Sequence, residues 1–217
     1  MVAESQRRAR VGRPNAVDQT ELQEAATRLA DDGGLESVTF RALGEALGVS
    51  AMAVHRASGG IDALRHRLIA DVVDDAIEHI DWPEHDWRAT VETFAGGLRD
   101  LLLRHPLVLE AHRKAALDTP AADDVAHRVV AALREAGLDD AEAAYGYAAV
   151  HDYVTGHVAI RLGRGDLELI DIAPERSAAS VFADFHDADR RFRTGLDLLL
   201  DGLAVAAARA TARGVDA

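Results

Sequence analysis

Val38-Thr39-Phe40-Arg41-Ala42-Leu43-Gly44-Glu45-Ala46-Leu47-Gly48-Val49-Ser50-Ala51-Met52-Ala53-Val54-His55-Arg56-Ala57-Ser58-Gly59-Gly60 decides the fold. Thr39 stands where a hydroxyl can cap a short helix carrying Phe40, Leu43 and Leu47. Gly48 stops that helix by supplying a left-handed residue. Ser50 then caps a second short helix over about 51–57, and Gly59-Gly60 ends it. Two short helices joined by Leu47-Gly48-Val49-Ser50 read as a helix-turn-helix unit. Leu43, Leu47, Val49 and Val54 form the wedge that sets the two helices at a steep angle. Ala51 and Ala53 keep the second helix slim enough to approach a groove, and a helix of that width fits the major groove of B-DNA.

Helical period continues on both sides. Leu22, Ala25, Ala26 and Leu29 fall at i, i+3, i+4 and i+7, so a helix is expected from near Asp18 to the Gly33-Gly34 stop. After Gly60, Ile61, Leu64, Leu68, Val72, Ala76 and Ile80 stay on one face of a longer helix, interrupted by Trp82-Pro83. Further helices are expected at about 86–104, from Pro106 to about Leu117, at about 121–136, 140–162 and 189–210. The stretch 163–188 is poorly periodic and reads as a loop, with room for a short helix near 175–185. The class is all-α, with about nine helices and no internal repeat.

Composition removes other classes. The chain of 217 residues has no Cys, which excludes disulfides, thiolate metal sites and a Cys nucleophile. No stretch approaches the ~20 apolar residues of a membrane span, and the Arg-rich start lacks the apolar run of a secretory signal. No P-loop, GxGxxG or GxSxG motif is present, so an enzyme is not expected. His151-Asp152 and His186-Asp187 are adjacent in sequence, which aims each pair at different helix faces and argues against a base and its orienter.

The formal charge of −13 would seem to exclude a polyanionic partner. Its distribution reverses that inference. Residues 1–67 carry nine Arg and nine Asp+Glu, whereas residues 68–217 carry 15 Lys+Arg and 28 Asp+Glu. Arg7, Arg8, Arg10 and Arg13 stand against Glu4 alone in a basic, flexible arm over 1–14. A neutral segment with a basic arm thus precedes an acidic body, and the two ends are suited to different partners. Every basic residue except Lys114 is Arg, so an isolated Arg carries little functional weight here.

The helix with its GG stop, followed by Val38-Thr39-x-Arg41-x-Leu43-x-x-x-Leu47-Gly48-Val49-Ser50, resembles the TetR (tetracycline-repressor-like) family of bacterial regulators. Trp87-Arg88, Leu101-Leu102-Leu103-Arg104-His105-Pro106, Ala136-Gly137-Leu138 and the run Leu196 to Leu203 extend the likeness to the family's C-terminal domain. The resemblance implies a DNA-binding domain over 15–60, a linking helix over 61–80 and a ligand-binding and dimerisation domain over 81–217. It implies a cytoplasmic homodimer on a palindromic double-stranded DNA operator, released by a small hydrophobic effector, with no cofactor and no membrane. Carried over by position, Thr39 would contact a phosphate and Arg41 a base edge or phosphate. Ser50, Ala51, Met52, His55 and Arg56 would lie on the recognition helix. After Val54 the chain departs from the family. His55 replaces an aromatic hydroxyl, Ser58 replaces a Phe and is expected to loosen the helix end, and Ile61 replaces a Lys and removes a phosphate charge. These departures leave open a member that binds ligand or protein without reading DNA.

In the body, the resemblance implies a four-helix dimer seam from the helices at about 140–162 and 189–210. Ala144, Ala148, Thr155 and Gly195 would allow close packing, and Phe192, Leu196, Leu199 and Leu203 would fill the seam. Effector would bind among Trp87, Phe94, Leu98, Leu102, His105, Leu109, His112, Tyr147, His151 and Val154. His112 falls where the tetracycline repressor ligates a metal, but a single His with unmatched surroundings favours a hydrogen-bonding role and no metal.

Overall fold

The computed structural model of the chain describes residues 17–113, 119–164 and 187–215. The basic arm 1–14, the end of the helix expected to reach Leu117, the short helix near 175–185 and His186 lie outside the described residues. Within those residues there are nine α-helices, one 3-10 turn and no strand, the all-α architecture that the sequence period indicates. They are α1 (Gln19–Gly33), α2 (Phe40–Leu47), α3 (Ala51–Ser58), α4 (Ile61–Glu78), α5 (Trp87–Arg104), α6 (Pro106–Arg113), α7 (Pro120–Glu135), α8 (Asp140–Arg164) and α9 (Ala188–Val215).

The helix ends follow from local chemistry. The Asp18 carboxylate accepts from the N–H groups of Thr20 and Glu21 at 2.8 and 3.1 Å and starts α1. Gly34, at φ 74°, ends it by returning its N–H to the Ala30 carbonyl. Thr119 caps α7 through the Ala122 N–H, with Pro120 opening the first turn. The structure differs from the sequence reading in three places. Leu35–Ser37 forms a 3-10 turn too short to show a period. α4 stops at Glu78, where the Ile80 N–H bonds to the Ile77 carbonyl and turns the chain before Trp82-Pro83. α9 runs on to Val215, because the Ala-rich stretch after Leu203 favours helix even where the apolar stripe fades.

The described residues divide after Leu68 into two compact units, so the division falls within α4. In the first, Leu22, Ala26, Val38, Leu43, Val54 and Leu64 are buried. In the second, Val91, Phe94, Val129, Leu133, Val150 and Val154 form one core with Phe192, Leu196 and Leu200. No helix among the described residues is long and apolar enough to cross a membrane.

Candidate functional site

Two sites were anticipated, and each is built within one unit. The first is the α2–turn–α3 element. The Thr39 hydroxyl accepts from the Ala42 N–H at 3.1 Å, and the Ser50 hydroxyl accepts from the Ala53 N–H at 3.2 Å. Both short helices therefore carry the caps their sequences indicate. Gly48 takes the left-handed conformation (φ 65°, ψ 29°), and the Val49 N–H then reaches back to the Gly44 carbonyl at 2.9 Å. Leu43 and Val54 are fully buried in the wedge, with Leu47 and Val49 half-buried. Gly44 is the closest point of the turn. A Cβ there would stand 2.8 Å from the Val49 carbonyl oxygen and 3.2 Å from the Ala51 nitrogen.

This packing leaves Thr39, Arg41, Ser50, Ala51, Met52, His55 and Arg56 all exposed. Met52 is 61% exposed, a large apolar side chain facing solvent at the start of α3. Arg41 Nε donates to Glu45 at 2.9 Å along α2. The His55 ring stands edge-on to Phe40, with centroids 5.0 Å apart. Thus His55 is positioned by α2 as well as by its own helix.

Ser58 corrects an expectation. It was expected to loosen the end of α3, yet it is buried and bonded. Its hydroxyl donates to the His55 carbonyl at 3.3 Å and accepts from the Gly60 N–H at 3.4 Å. Arg67 of α4 donates to the Ser58 carbonyl at 2.5 Å, so a cation closes the C-terminus of α3, where the helix dipole favours one. Arg65 likewise donates to the Val38 carbonyl at 3.2 Å and to Glu36 at 3.3 Å. The first half of α4 therefore anchors both ends of the Val38–Ser58 segment. In a chain whose cations are nearly all Arg, no sequence signal marked these two.

The second site is a cavity of about 360 Å³ in the second unit. Val73, Ala76 and Ile77 of α4 form one wall together with Ile80. Phe94, Gly97, Leu98 and Leu101 of α5 and Val108 and His112 of α6 form others. Ala122, Asp123, Val125 and Ala126 of α7 and Tyr147, Ala148, His151 and Asp152 of α8 complete it. Phe94, Leu98, His112, Tyr147 and His151 of the sequence-named set meet there. The other five do not line it. Leu102, Leu109 and Val154 are buried core residues, and His105 terminates α5 with its N–H on the Leu101 carbonyl at 2.9 Å. Trp87 faces a separate open groove with Trp82, over whose ring Arg128 stacks at 5.3 Å. The α4 wall was missed, although Val73, Ala76, Ile77 and Ile80 recur at helical spacing.

The polar groups of the cavity are few. The His112 and His151 rings meet at a tilt of 55° with centroids 4.7 Å apart, and Phe94 packs on Tyr147 at 5.3 Å and on His151 at 6.4 Å. Burial, then the neighbouring His112, pushes the His151 pKa down, with Asp152 opposing. Burial, then the Asp123 charge, pushes the Tyr147 hydroxyl up. His151 and Asp152 were expected to face apart, but Nδ1 lies 3.6 Å from the carboxylate. They share only an edge, since the His151 side chain is 19% exposed and that of Asp152 84%. Among the described residues no group of three His, Asp or Glu is placed to hold a metal ion.

The seam residues divide. Phe192 and Leu196 are buried within one chain; Phe192 stacks on Tyr153 at 5.8 Å, and Gly195 lies against the same ring. They fill a single protomer's core because the Tyr153 hydroxyl donates to the Phe192 carbonyl at 2.8 Å and draws α9 onto α8. Leu199, Leu203 and Thr155 are half-buried, and Ala144 and Ala148 are exposed. Among the described residues, the large apolar side chains that α8 and α9 leave exposed are Tyr145, Ile160, Leu198 and Val205.

The described residues thus form a helix-turn-helix unit and a helical unit around an apolar cavity. The model of the family described as "Tetracyclin repressor-like, C-terminal domain" matches residues 81–207, and the chain belongs to that family. A curated relative, the HTH-type transcriptional repressor DrrR1 of Streptomyces coeruleorubidus, is 28% identical over 145 residues. That match spans 67% of this chain but 54% of the relative, about half its length. Apo ActR from Streptomyces coelicolor has the same fold, with TM-score 0.71 and 23% identity over 90% of this chain and 98% of that one. A possible TetR family transcriptional regulator from Streptomyces coelicolor A3(2) gives TM-score 0.68 and 27% identity over 87% of this chain and 99% of that one.

Proposed function

We propose that this chain is a cytoplasmic transcriptional repressor that binds operator DNA as a homodimer and releases it when a small apolar molecule occupies the cavity. It is not an enzyme in this reading. The observation that carries the proposal is the continuity of α4. Its first half holds the α3 terminus through Arg67 and Val38 through Arg65, and its second half is a wall of the cavity. A ligand that displaces Val73, Ala76 and Ile77 therefore acts on the helix that also carries Arg65 and Arg67. A coupling of roughly 1–3 kcal/mol suffices for a switch and is reciprocal, so operator must weaken ligand.

On the operator, α3 enters the major groove with Ser50, Ala51, Met52, His55 and Arg56, while Thr39 and Arg41 meet the flanking backbone and a base edge. The second copy docks on the face bearing Tyr145, Ala148 and Ile160 of α8 and Leu198, Gly202 and Val205 of α9, since Phe192 and Leu196 are already used within the chain. The acidic charge of residues 68–217 keeps the body off the duplex. A gel shift on the DNA upstream of the chain's own gene, at two salt concentrations, tests the proposal. The Arg41→Ala variant is expected to lose about 5- to 150-fold in affinity, the ~1–3 kcal/mol of a bidentate Arg–guanine contact. Unchanged affinity would remove Arg41 from the interface, and no shift at low salt would remove the proposal.

A further inference from the structure

We propose that the cavity selects an effector carrying an anionic group on an apolar, ring-sized body, and that the neighbouring imidazoles of His112 and His151 receive that group and take up a proton as it binds. This deepens the effector role proposed above and rests on it. The walls from α4 and α5 are hydrocarbon and one phenyl ring, so they set the body of the ligand but give no direction to a polar group. The polar lining reduces to His112, Asp123, Tyr147, His151 and Asp152. Asp123 and Asp152 are exposed, and water screens their charge. The imidazoles are set deeper, ring against ring at 4.7 Å, with Phe94 and Tyr147 packed on His151.

Burial first, and then the neighbouring His112, hold His151 below the ordinary histidine pKa, since two imidazoles at that distance cannot both be charged cheaply. An anion placed against the edges of the two rings reverses the balance. It needs a countercharge in an apolar pocket, and no Lys or Arg among the described residues lines the cavity. Among the described residues of the lining, the imidazole pair alone can become cationic there. One proton from solvent then bonds to a ring nitrogen, and the protonated ring donates to the anion. A cationic ligand meets the opposite problem: the carboxylates that would neutralise it are hydrated, and the protonatable rings repel it. The Tyr147 hydroxyl, kept protonated chiefly by burial, serves as a neutral donor to the same group.

The sign follows from linkage. Without ligand His151 is held below its ordinary pKa by burial and then by His112; with the anion bound the pair holds an extra proton. Affinity is therefore greatest at low pH and is lost as pH rises through the pKa of the complex, by up to about tenfold per unit.

The test uses two fluorescent probes with one body, on the full chain. 8-Anilinonaphthalene-1-sulfonate carries a permanent anion, and N-phenyl-1-naphthylamine lacks it. The sulfonate is expected to bind about tenfold or more tightly at pH 6 than at pH 8, whereas the neutral amine changes less than about twofold. Calorimetry in buffers of different ionisation enthalpy should show proton uptake with the sulfonate alone. His112→Gln combined with His151→Gln should flatten the sulfonate profile and leave amine binding intact, which also shows that the variant folds. Gly97→Leu, which fills the cavity from α5, should abolish both.

A flat sulfonate profile, a pH dependence that survives the double variant, binding that persists in Gly97→Leu, or loss of sulfonate binding on adding chelator would each overturn the inference. Operator release is read in a separate gel shift. If neither probe releases operator while the His-dependent profile stands, the effector role fails and the anion site holds. If the amine releases operator and the sulfonate profile is flat, the reverse is true.

Discussion

Gly44→Ala tests whether the close packing of the helix turn sets the DNA-reading element. Gly44 is buried in α2 with an ordinary helical φ, so an added methyl gains about 1 kcal/mol of helix propensity. Against this, the new Cβ would stand 2.8 Å from the Val49 carbonyl oxygen, a backbone atom with no rotamer to escape into. Overpacking of this kind costs about 1–3 kcal/mol. Moving Val49 away also stretches its 2.9 Å hydrogen bond to the Gly44 carbonyl, a further loss of about 0.5–1.5 kcal/mol. The balance is a loss of about 2 kcal/mol, or roughly 10 °C for a unit of this size.

The loss should be confined to one unit, and the chain reports this itself. Its two tryptophans, Trp82 and Trp87, both lie in the second unit. Their fluorescence transition should stay in place while circular dichroism shows an earlier, partial unfolding, and operator affinity should fall about tenfold or more as the angle between α2 and α3 opens. Gly96→Ala is the control. It is a glycine of α5 with nothing within 4 Å of its Cβ position, and it should leave stability unchanged or raise it by up to about 1 kcal/mol. Full stability and operator affinity in Gly44→Ala would refute the reasoning.

Thr39→Ala and Ser50→Ala each remove a cap and should lower the first transition by about 0.5–2 kcal/mol in denaturant titration, with Thr39→Ala also weakening DNA binding while leaving its salt dependence unchanged. Tyr153→Phe deletes the bonds to the Arg191 and Phe192 carbonyls and should cost about 0.5–1.5 kcal/mol in the second transition, measured by tryptophan fluorescence. Asp187 accepts from the N–H groups of Arg190 and Asp189, which hold its carboxyl below the usual range. Its contribution is present above the unfolded carboxylate pKa and is lost as pH falls through the folded one, so Asp187→Ala should weaken α9 at neutral pH and reduce the acid dependence of unfolding.

The sequence disclosed whatever is local. Asp18, Thr39 and Ser50 cap their helices, and Gly34, Gly48 and Gly59 end them, because caps and left-handed stops depend on a few neighbouring residues. The exposed face of α3 follows from the same period. Features that depend on distant partners were less legible. The burial of Phe192 and Leu196 within one chain, against Tyr153, depends on a partner far away in sequence. Trp87 belongs on an aromatic wall by composition, yet the turn before α5 aims it at another groove. Ser58 departs from the family pattern, and only the arrival of Arg67 from α4 shows how its carbonyl is satisfied. The His112–His151 pair joins α6 to α8, and no spacing rule reveals a contact across two helices.

Selection of bound duplexes from a random DNA pool by the full chain shows whether two copies of α3 read DNA together. The account predicts enrichment of a palindrome whose half-sites lie about one helical turn, ~34–36 Å, apart, matching two copies of α3 in successive major grooves. A pool that stays unenriched at low salt, or enriches a single unrepeated half-site, would contradict it.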